Sequence, residues 1–160
     1  MLNIYLAGPW AAKARISHIA AQLVGAGHSV PVKWWEHREV PGYLREDLTA
    51  EDRAELEEQA TLDLVGVAQA DVFVLVNCLG SEGKNVEFGY ALASGMPIIV
   101  IGERSNLFHY CSMVEMVRDV DEALMALDNI VAAWERAVDE DVFADSECAN
   151  CGSAACVGCD

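Results

Sequence analysis

The feature that most constrains the fold is a run of five apolar residues, Val72-Phe73-Val74-Leu75-Val76, bounded by Asp71 and Asn77. A strand with one solvated face alternates apolar and polar residues, whereas an unbroken apolar run is typical of a strand covered on both faces, as in parallel sheets. Helices must then pack on both faces of that sheet. The sequence therefore predicts a buried central strand in a layered α/β fold.

Segments that favour strand and helix alternate along the rest of the chain. Short apolar runs next to turn-forming or charged residues predict further strands at residues 2–6, 28–34, 98–101 and 114–117. Apolar periodicity or Ala-, Glu- and Leu-rich composition predicts helices at residues 10–26, 49–70, 84–94 and 120–138, with Thr49 as an N-cap. We predict a single-domain, three-layer α/β fold of flavodoxin or Rossmann type, with a five-stranded, mainly parallel sheet.

The chain of 160 residues has the length of one domain, and we place a folded domain at residues 1–138 and an acidic, cysteine-rich tail at residues 139–160. The formal charge of −16, from 26 acidic and 10 basic side chains, would repel nucleic-acid polymers; solubility or adaptation to salt is the other meaning of this acidity. No apolar run approaches the roughly 18 residues of a membrane span, and residues 1–5 do not resemble an export signal. We therefore expect neither a nucleic-acid nor a membrane partner, and a cytoplasmic location.

Three polar segments that contain glycine follow predicted strands, at residues 5–10, 77–87 and 102–110. Ligands of open α/β sheets bind at the carboxyl ends of the strands, so these segments should converge on one site. Glu87 lies in the predicted first turn of a helix, where the helix dipole would keep its carboxylate ionised and ready to act as a nucleophile. The alternative is an ordinary helix acid that faces solvent. A loop at residues 36–48 is expected to cover the substrate.

Three stretches of the chain match a known family in order and spacing. They are Ile4-Tyr5-Leu6-Ala7-Gly8-Pro9, then Asp63 eight residues before Asp71, and then the block from Gly83 to Ala93, Gly-Lys-Asn-Val-Glu-Phe-Gly-Tyr-Ala-Leu-Ala. Together they resemble the nucleoside 2-deoxyribosyltransferases, a superfamily that includes the 2′-deoxynucleoside 5′-phosphate N-hydrolases. The resemblance runs from about residue 2 to residue 127, and it makes the predicted domain a deoxyribosyltransferase-like catalytic domain.

The resemblance implies a role for each of three residues and no cofactor for catalysis. Glu87 would be the nucleophile that forms a glycosyl ester, Asp63 would protonate or hold the departing base, and Tyr5 would position Glu87. Cleavage of an N-glycosidic bond develops oxocarbenium character that a carboxylate stabilises, so the chemistry agrees with these roles. The alternatives are a helix-face acid for Asp63 and a core aromatic for Tyr5.

The substrate is expected to be a small nucleoside or nucleotide, held in part by Gly8 after the first strand and by Ser81 and Gly83 before the third helix. Family members that act on free nucleosides have an aspartate six residues before the nucleophile, whereas this chain has Ser81. The nucleotide hydrolases have a serine there, which contacts the 5′-phosphate, and amides at the helix start near Lys84 could add to it. Ser81 could also be only an N-cap, and Glu82 opposes a phosphate, so nucleoside or nucleotide and transfer or hydrolysis stay open.

Further residues are candidates for ligand contacts. Asn106 resembles a family position that reaches the sugar of a neighbouring subunit, which implies a homo-oligomer; its alternative is a turn asparagine that caps its own backbone. Trp10 follows the first strand and could stack on a base, although packing is the simpler explanation for it and for Trp34 and Trp35. His109 is expected to be a surface histidine.

The tail contains two pairs of cysteines, Cys148 with Cys151 and Cys156 with Cys159, which could bind a structural zinc ion through four thiolates. A tail with incidental thiols, an iron-sulfur site and a disulfide are the alternatives. Cys78 and Cys111 are expected to be buried as small apolar residues. The sequence thus leaves two functions beside glycosyl chemistry, a non-catalytic nucleotide-binding module and an interaction protein that binds metal through its tail.

Overall fold

The computed structural model describes the backbone of residues 1–37, 47–78 and 80–144, with side chains up to residue 138. Four strands and four α-helices make up this part of the chain: β1 (Ile4–Ala7), α1 (Lys13–Gly25), α2 (Ala50–Ala68), β2 (Val72–Asn77), α3 (Glu82–Ala93), β3 (Ile98–Gly102), β4 (Val114–Val117) and α4 (Val120–Ala144). Short 3-10 helices lie at Trp10–Ala12, Trp34–Glu36 and Leu107–Tyr110. The predicted α/β, Rossmann-like class is confirmed.

The sheet is parallel and has the order β1-β2-β3-β4, so the prediction of five strands was wrong. The predicted strand at residues 28–34 is reduced to a single parallel bridge between Asn3 and Ser29, and its last residue starts a 3-10 helix. Pro31 gives the physical reason, because proline has no backbone N–H to donate to a ladder. Ser29 still lies on the free edge of β1, and the chain therefore reverses its direction across the sheet between β1 and β2. That reversal is where open α/β sheets bind ligands.

Side-chain alternation divides the sheet into two covered faces. Tyr5 and Phe73 are register partners on one face, with ring centroids 5.7 Å apart, and Phe88 of α3 packs on Phe73 at 6.3 Å. On the other face α1 packs closely, since a Cβ on Gly8 would come within 2.4 Å of the Ile16 side chain. Helices therefore cover both faces of the sheet, as the unbroken apolar run of β2 predicted.

The observed start of α2 agrees with the prediction from the sequence, whereas the observed start of α3 does not. Thr49 caps α2 as predicted, in a capping box in which its side chain accepts from the Asp52 amide and the Asp52 carboxylate accepts from the Thr49 amide. Helix α3 begins at Glu82, two residues before the predicted start at Lys84. Glu87 consequently lies in the second turn of α3, where the helix dipole acts on it only weakly.

The chain divides into two units, residues 1–124 and residues 125–160. The first contains the sheet, α1 to α3 and the start of α4. The described part of the second is the remainder of α4, to Ala144. Among the helices of the described residues, none combines the length and apolar character that a bilayer crossing requires.

Candidate active site

The hydroxyl of Tyr5 donates a hydrogen bond to Glu87 Oε1 at 2.7 Å. Tyr5 points from β1 into the protein and is only 1% exposed, and Glu87 approaches it from α3 as a half-buried side chain. Gly66 of α2 lies against the same ring, because a Cβ there would come within 3.0 Å of Tyr5 Cδ2. Glu87 is therefore not a solvent-facing helix acid; β1, α2 and α3 together enclose this hydrogen bond.

Burial raises the pKa of Glu87 from its ordinary value of 4.5 to about 7. The hydrogen bond from Tyr5 lowers this pKa and the nearby charge of Asp63 raises it, but burial is the largest cause. The expectation that Glu87 lies in the first turn, where the helix dipole favours an ionised carboxylate, was wrong, because α3 begins at Glu82 and the carboxylate is desolvated. At neutral pH the group is balanced between its protonated and ionised forms.

Asp63 is the second carboxyl group of the site and comes from the middle of α2. Burial raises its pKa, whereas the charge of His37 and a hydrogen bond with Tyr5 lower it. Its Oδ1 atom is buried and has no hydrogen-bond partner among the described residues. Since an unpartnered buried oxygen is less costly on a neutral acid than on a carboxylate, this environment favours a proton on Asp63.

Tyr5 connects the two carboxyl groups and stays neutral. Burial raises its pKa well above the ordinary value of 10.0, and the charges of Glu87 and Asp63 raise it further. A neutral phenol is a hydrogen-bond donor, so Tyr5 can hold Glu87 in one orientation and stabilise its ionised form. Two carboxyl groups whose proton affinities influence each other, oriented by one phenol, can supply both a nucleophile and an acid.

The predicted substrate residues lie near the same ends of the strands. Ser81 is the N-cap residue of α3 by position, but its side chain makes no capping hydrogen bond, so capping does not explain it. Gly83 is exposed in the first turn of α3. Gly8 has a packing role, because any side chain there would collide with Ile16 of α1.

Three tryptophans form a cluster after β1. Trp34 and Trp35 are buried, as the packing interpretation predicted, and Trp34 Nε1 donates to the Leu6 carbonyl oxygen at 2.7 Å. Trp10 is half-buried against Trp34, with ring centroids 6.0 Å apart, and carries the Lys13 ammonium 4.7 Å above its ring. Trp10 thus keeps part of its indole accessible to a ligand.

The segment after β3 corrects one expectation and supports an alternative. Asn106 Oδ1 accepts from the Phe108 amide at 2.9 Å and caps the 3-10 helix at Leu107–Tyr110, as the turn interpretation predicted. A contact with a neighbouring subunit's sugar stays a prediction. His109 is 1% exposed and packs edge-on against Phe88, so the expectation of a surface histidine was wrong.

Two of the six cysteines lie among the described residues. Cys78 is exposed and Cys111 is half-buried, and the expectation that both are buried was therefore wrong. Cys78 directly follows β2, and Cys111 directly follows the 3-10 helix at Leu107–Tyr110. Within residues 1–37, 47–78 and 80–144 there is no group of three His, Cys, Asp or Glu side chains that could hold a metal ion. The tail cysteines, and most of the loop predicted at residues 36–48, lie outside the described residues.

Two contributors to the site were not found from the sequence. His37 acts on Asp63 by its charge and also lines a cavity of about 430 Å³ along α2, yet no motif marks it. Gly66 brings α2 close to Tyr5, and its signal was available: glycine inside a helix costs about 1 kcal/mol relative to alanine, which points to a close approach.

In comparisons with protein-family models and with curated proteins, none matched this chain. The resemblance described above therefore depends on the motif residues themselves, and the geometry around Glu87 carries the functional argument.

Proposed function

We propose that this protein cleaves the N-glycosidic bond of a nucleoside or nucleoside 5′-monophosphate through a covalent intermediate on Glu87. The observation that carries the proposal is the part-buried hydrogen bond from Tyr5 to Glu87, 2.7 Å long, with Asp63 acting on both residues. A merely structural acid at this place would not need a second carboxyl beside it, because the charge of Asp63 raises the pKa of Glu87 and so opposes its ionisation.

In the first step the ionised Glu87 carboxylate attacks the anomeric carbon of the sugar. The bond from that carbon to the base nitrogen breaks, and its electron pair stays on the base. Asp63 gives its proton to the base, which leaves as a neutral molecule, and Glu87 becomes a glycosyl ester. The oxocarbenium character of the transition state is stabilised by the adjacent carboxylate, while Tyr5 holds that carboxylate in place.

In the second step an acceptor attacks the same carbon from the side that the base has left. The acceptor gives a proton to the Asp63 carboxylate, and the electron pair of the ester bond returns to Glu87. Water as acceptor gives a free sugar, and a second base gives a new nucleoside. Two displacements retain the configuration of the anomeric carbon.

The site favours a small substrate over a polymer, in agreement with the charge of −16. Ser81 and the amides at the start of α3 would contact the 5′ end of the substrate, and Trp10 would stack on its base. Asn106 would complete the site of a neighbouring copy in a homo-oligomer. The reaction would draw on the nucleoside or nucleotide pool of the cytoplasm, and it needs no cofactor. A structural zinc ion in the tail, held by Cys148, Cys151, Cys156 and Cys159, is a separate proposal.

The test is chromatography of the free bases released from a panel of nucleosides and nucleoside 5′-monophosphates, with and without a second base. Native protein should release a base, Glu87→Gln should not, and Glu57→Gln at an exposed position of α2 should behave as native. Dependence on the second base separates transfer from hydrolysis. Ligand binding that is equal in native protein and Glu87→Gln, with no base released by either, would instead support a binding module.

A further inference from the structure

A second cavity, of about 390 Å³, borders the first turn of α3. Its lining comes from the end of β2, the first turn of α3 and the segment after β3. Tyr5, Asp63 and Glu87 are not among the residues that line it. The cavity is therefore separate from the site described above, although α3 borders both.

A buried lysine is the most unusual group in this lining. Lys84 is only 5% exposed, and its ammonium donates to Asn77 Oδ1 at 2.8 Å. Burial lowers the pKa of Lys84, because removing the ammonium from water destabilises its charged form. Lysine is among the residues least often buried, and an anion in the cavity would offset the desolvation of the ammonium.

A second cation faces the same cavity from the segment after β3. Arg104, Ser105 and Asn106 all line it, while Glu103 contributes one negative charge. The chain has only 10 Lys and Arg residues against 26 acidic ones, so two cations at one small cavity form a local exception to a strongly acidic protein. Guanidinium, ammonium, hydroxyl and amide groups are the donors that bind phosphate oxygens.

His109 lies close enough to Lys84 and Arg104 for the charges of both to act on its imidazole. The charges of Lys84 and Arg104, together with burial as the largest cause, lower the pKa of its imidazole. The Ser105 amide donates to Nδ1 at 3.4 Å, and the Asn106 side chain lies 3.1 Å from Nε2. His109 is thus connected to the cavity through two residues of its lining and reports on its electrostatic potential.

We propose that the cavity lined by Lys84, Arg104, Ser105 and Asn106 is a binding site for a phosphate group, separate from the carboxylate site of Tyr5, Asp63 and Glu87. The group is a tetrahedral oxyanion, carried either as inorganic phosphate or as a phosphate monoester. The net positive charge of the two cations and Glu103 attracts the ion, and the side-chain donors bind its oxygens. Lys84 precedes Glu87 by one turn of α3, so both sites share one rigid element.

The experiment is a titration of the full-length protein with inorganic phosphate and, separately, with glycerol 3-phosphate, followed by the NMR signals of the His109 imidazole over a range of pH. A bound dianion offsets the charges of Lys84 and Arg104, so the pKa of His109 should rise and the rise should saturate. Saturation by inorganic phosphate alone identifies the free ion as ligand, and saturation by both identifies the phosphate group of a larger molecule as well.

Variants make the assignment specific. Arg104→Gln changes an exposed side chain and should weaken phosphate binding by roughly tenfold or more, the equivalent of one hydrogen bond to a charged group. Lys33→Gln, which removes an exposed cation outside the cavity, should bind phosphate as native protein does. Glu87→Gln should also bind it unchanged, which keeps this test independent of the proposed reaction. An unchanged pKa of His109 at saturating salt-matched phosphate, or equal binding by Arg104→Gln, would overturn the proposal.

Discussion

The substitution Glu87→Gln should stabilise the protein, and the gain should grow as the pH rises. Burial raises the pKa of Glu87 from 4.5 to about 7, so the folded state keeps a proton that the unfolded state releases at lower pH. A group whose pKa is raised by folding contributes stability that is fully present below its unfolded pKa and is lost as the pH rises through its folded pKa. Glutamine is neutral at every pH and retains an oxygen that can accept from Tyr5.

The magnitude follows from the two pKa values. The whole difference between 4.5 and about 7 corresponds to about 3 kcal/mol in the free energy of unfolding. Between about pH 5.5 and about pH 8 the linkage relation gives a loss of about 2 kcal/mol in native protein, and Glu87→Gln does not have this loss. The stability of the variant relative to native protein should therefore increase by about 2 kcal/mol over this range.

Urea unfolding followed by circular dichroism measures this difference at each pH. The matched control is Glu82→Gln, which makes the same change of charge on α3 at an exposed position where burial does not act. Its stability relative to native protein should stay nearly constant with pH. If the two variants showed the same pH dependence, the claim that burial raises the pKa of Glu87 would be refuted.

Three other outcomes are expected. The kcat/KM for base release should rise with pH through about 7 as Glu87 ionises. Tyr5→Phe should move this rise to higher pH, because it removes the hydrogen bond that lowers the pKa of Glu87. An unmoved rise in the pH profile of the variant would contradict the role of Tyr5. Asp63→Asn should lower kcat by roughly 10²- to 10⁴-fold for ordinary bases. It should have little effect on nucleosides of 7-methylguanine, because that base leaves without needing a proton. An equal loss of kcat for the two kinds of substrate in steady-state assays would exclude Asp63 as the acid. Gly66→Ala should destabilise the protein by about 1 to 3 kcal/mol in urea unfolding, because its Cβ would come within 2.5 Å of the Val32 side chain, and an unaltered midpoint would show that α2 does not need this approach.

Local signals in the sequence predicted the parts of the fold that depend on them. The unbroken apolar run of β2 identified a strand covered on both faces, and Thr49 identified the start of α2 through its capping box. The strand expected at residues 28–34 forms only a single bridge, because Pro31 has no backbone N–H to donate to a neighbouring strand. Apolar content alone therefore does not decide whether an edge segment can pair.

The site was predictable in its residues and not in its electrostatics. The motif around Tyr5 and Glu87 led to a pair that the structure joins by a hydrogen bond, but the early start of α3 and the burial of Glu87 reversed the expected direction of its pKa. The burial of His109 and the action of His37 on Asp63 arise from tertiary contacts between distant segments. Spacing along the chain contains no signal for such contacts.

The most direct test of the central claim is mass spectrometry of the protein after acid quenching during turnover, with peptide mapping. The account predicts that native protein carries the mass of one glycosyl group on the peptide that contains Glu87, that the adduct disappears when an acceptor base is added or hydrolysis is complete, and that Glu87→Gln never carries it. Base release by native protein with no adduct on Glu87, or an adduct on another residue, would contradict the account.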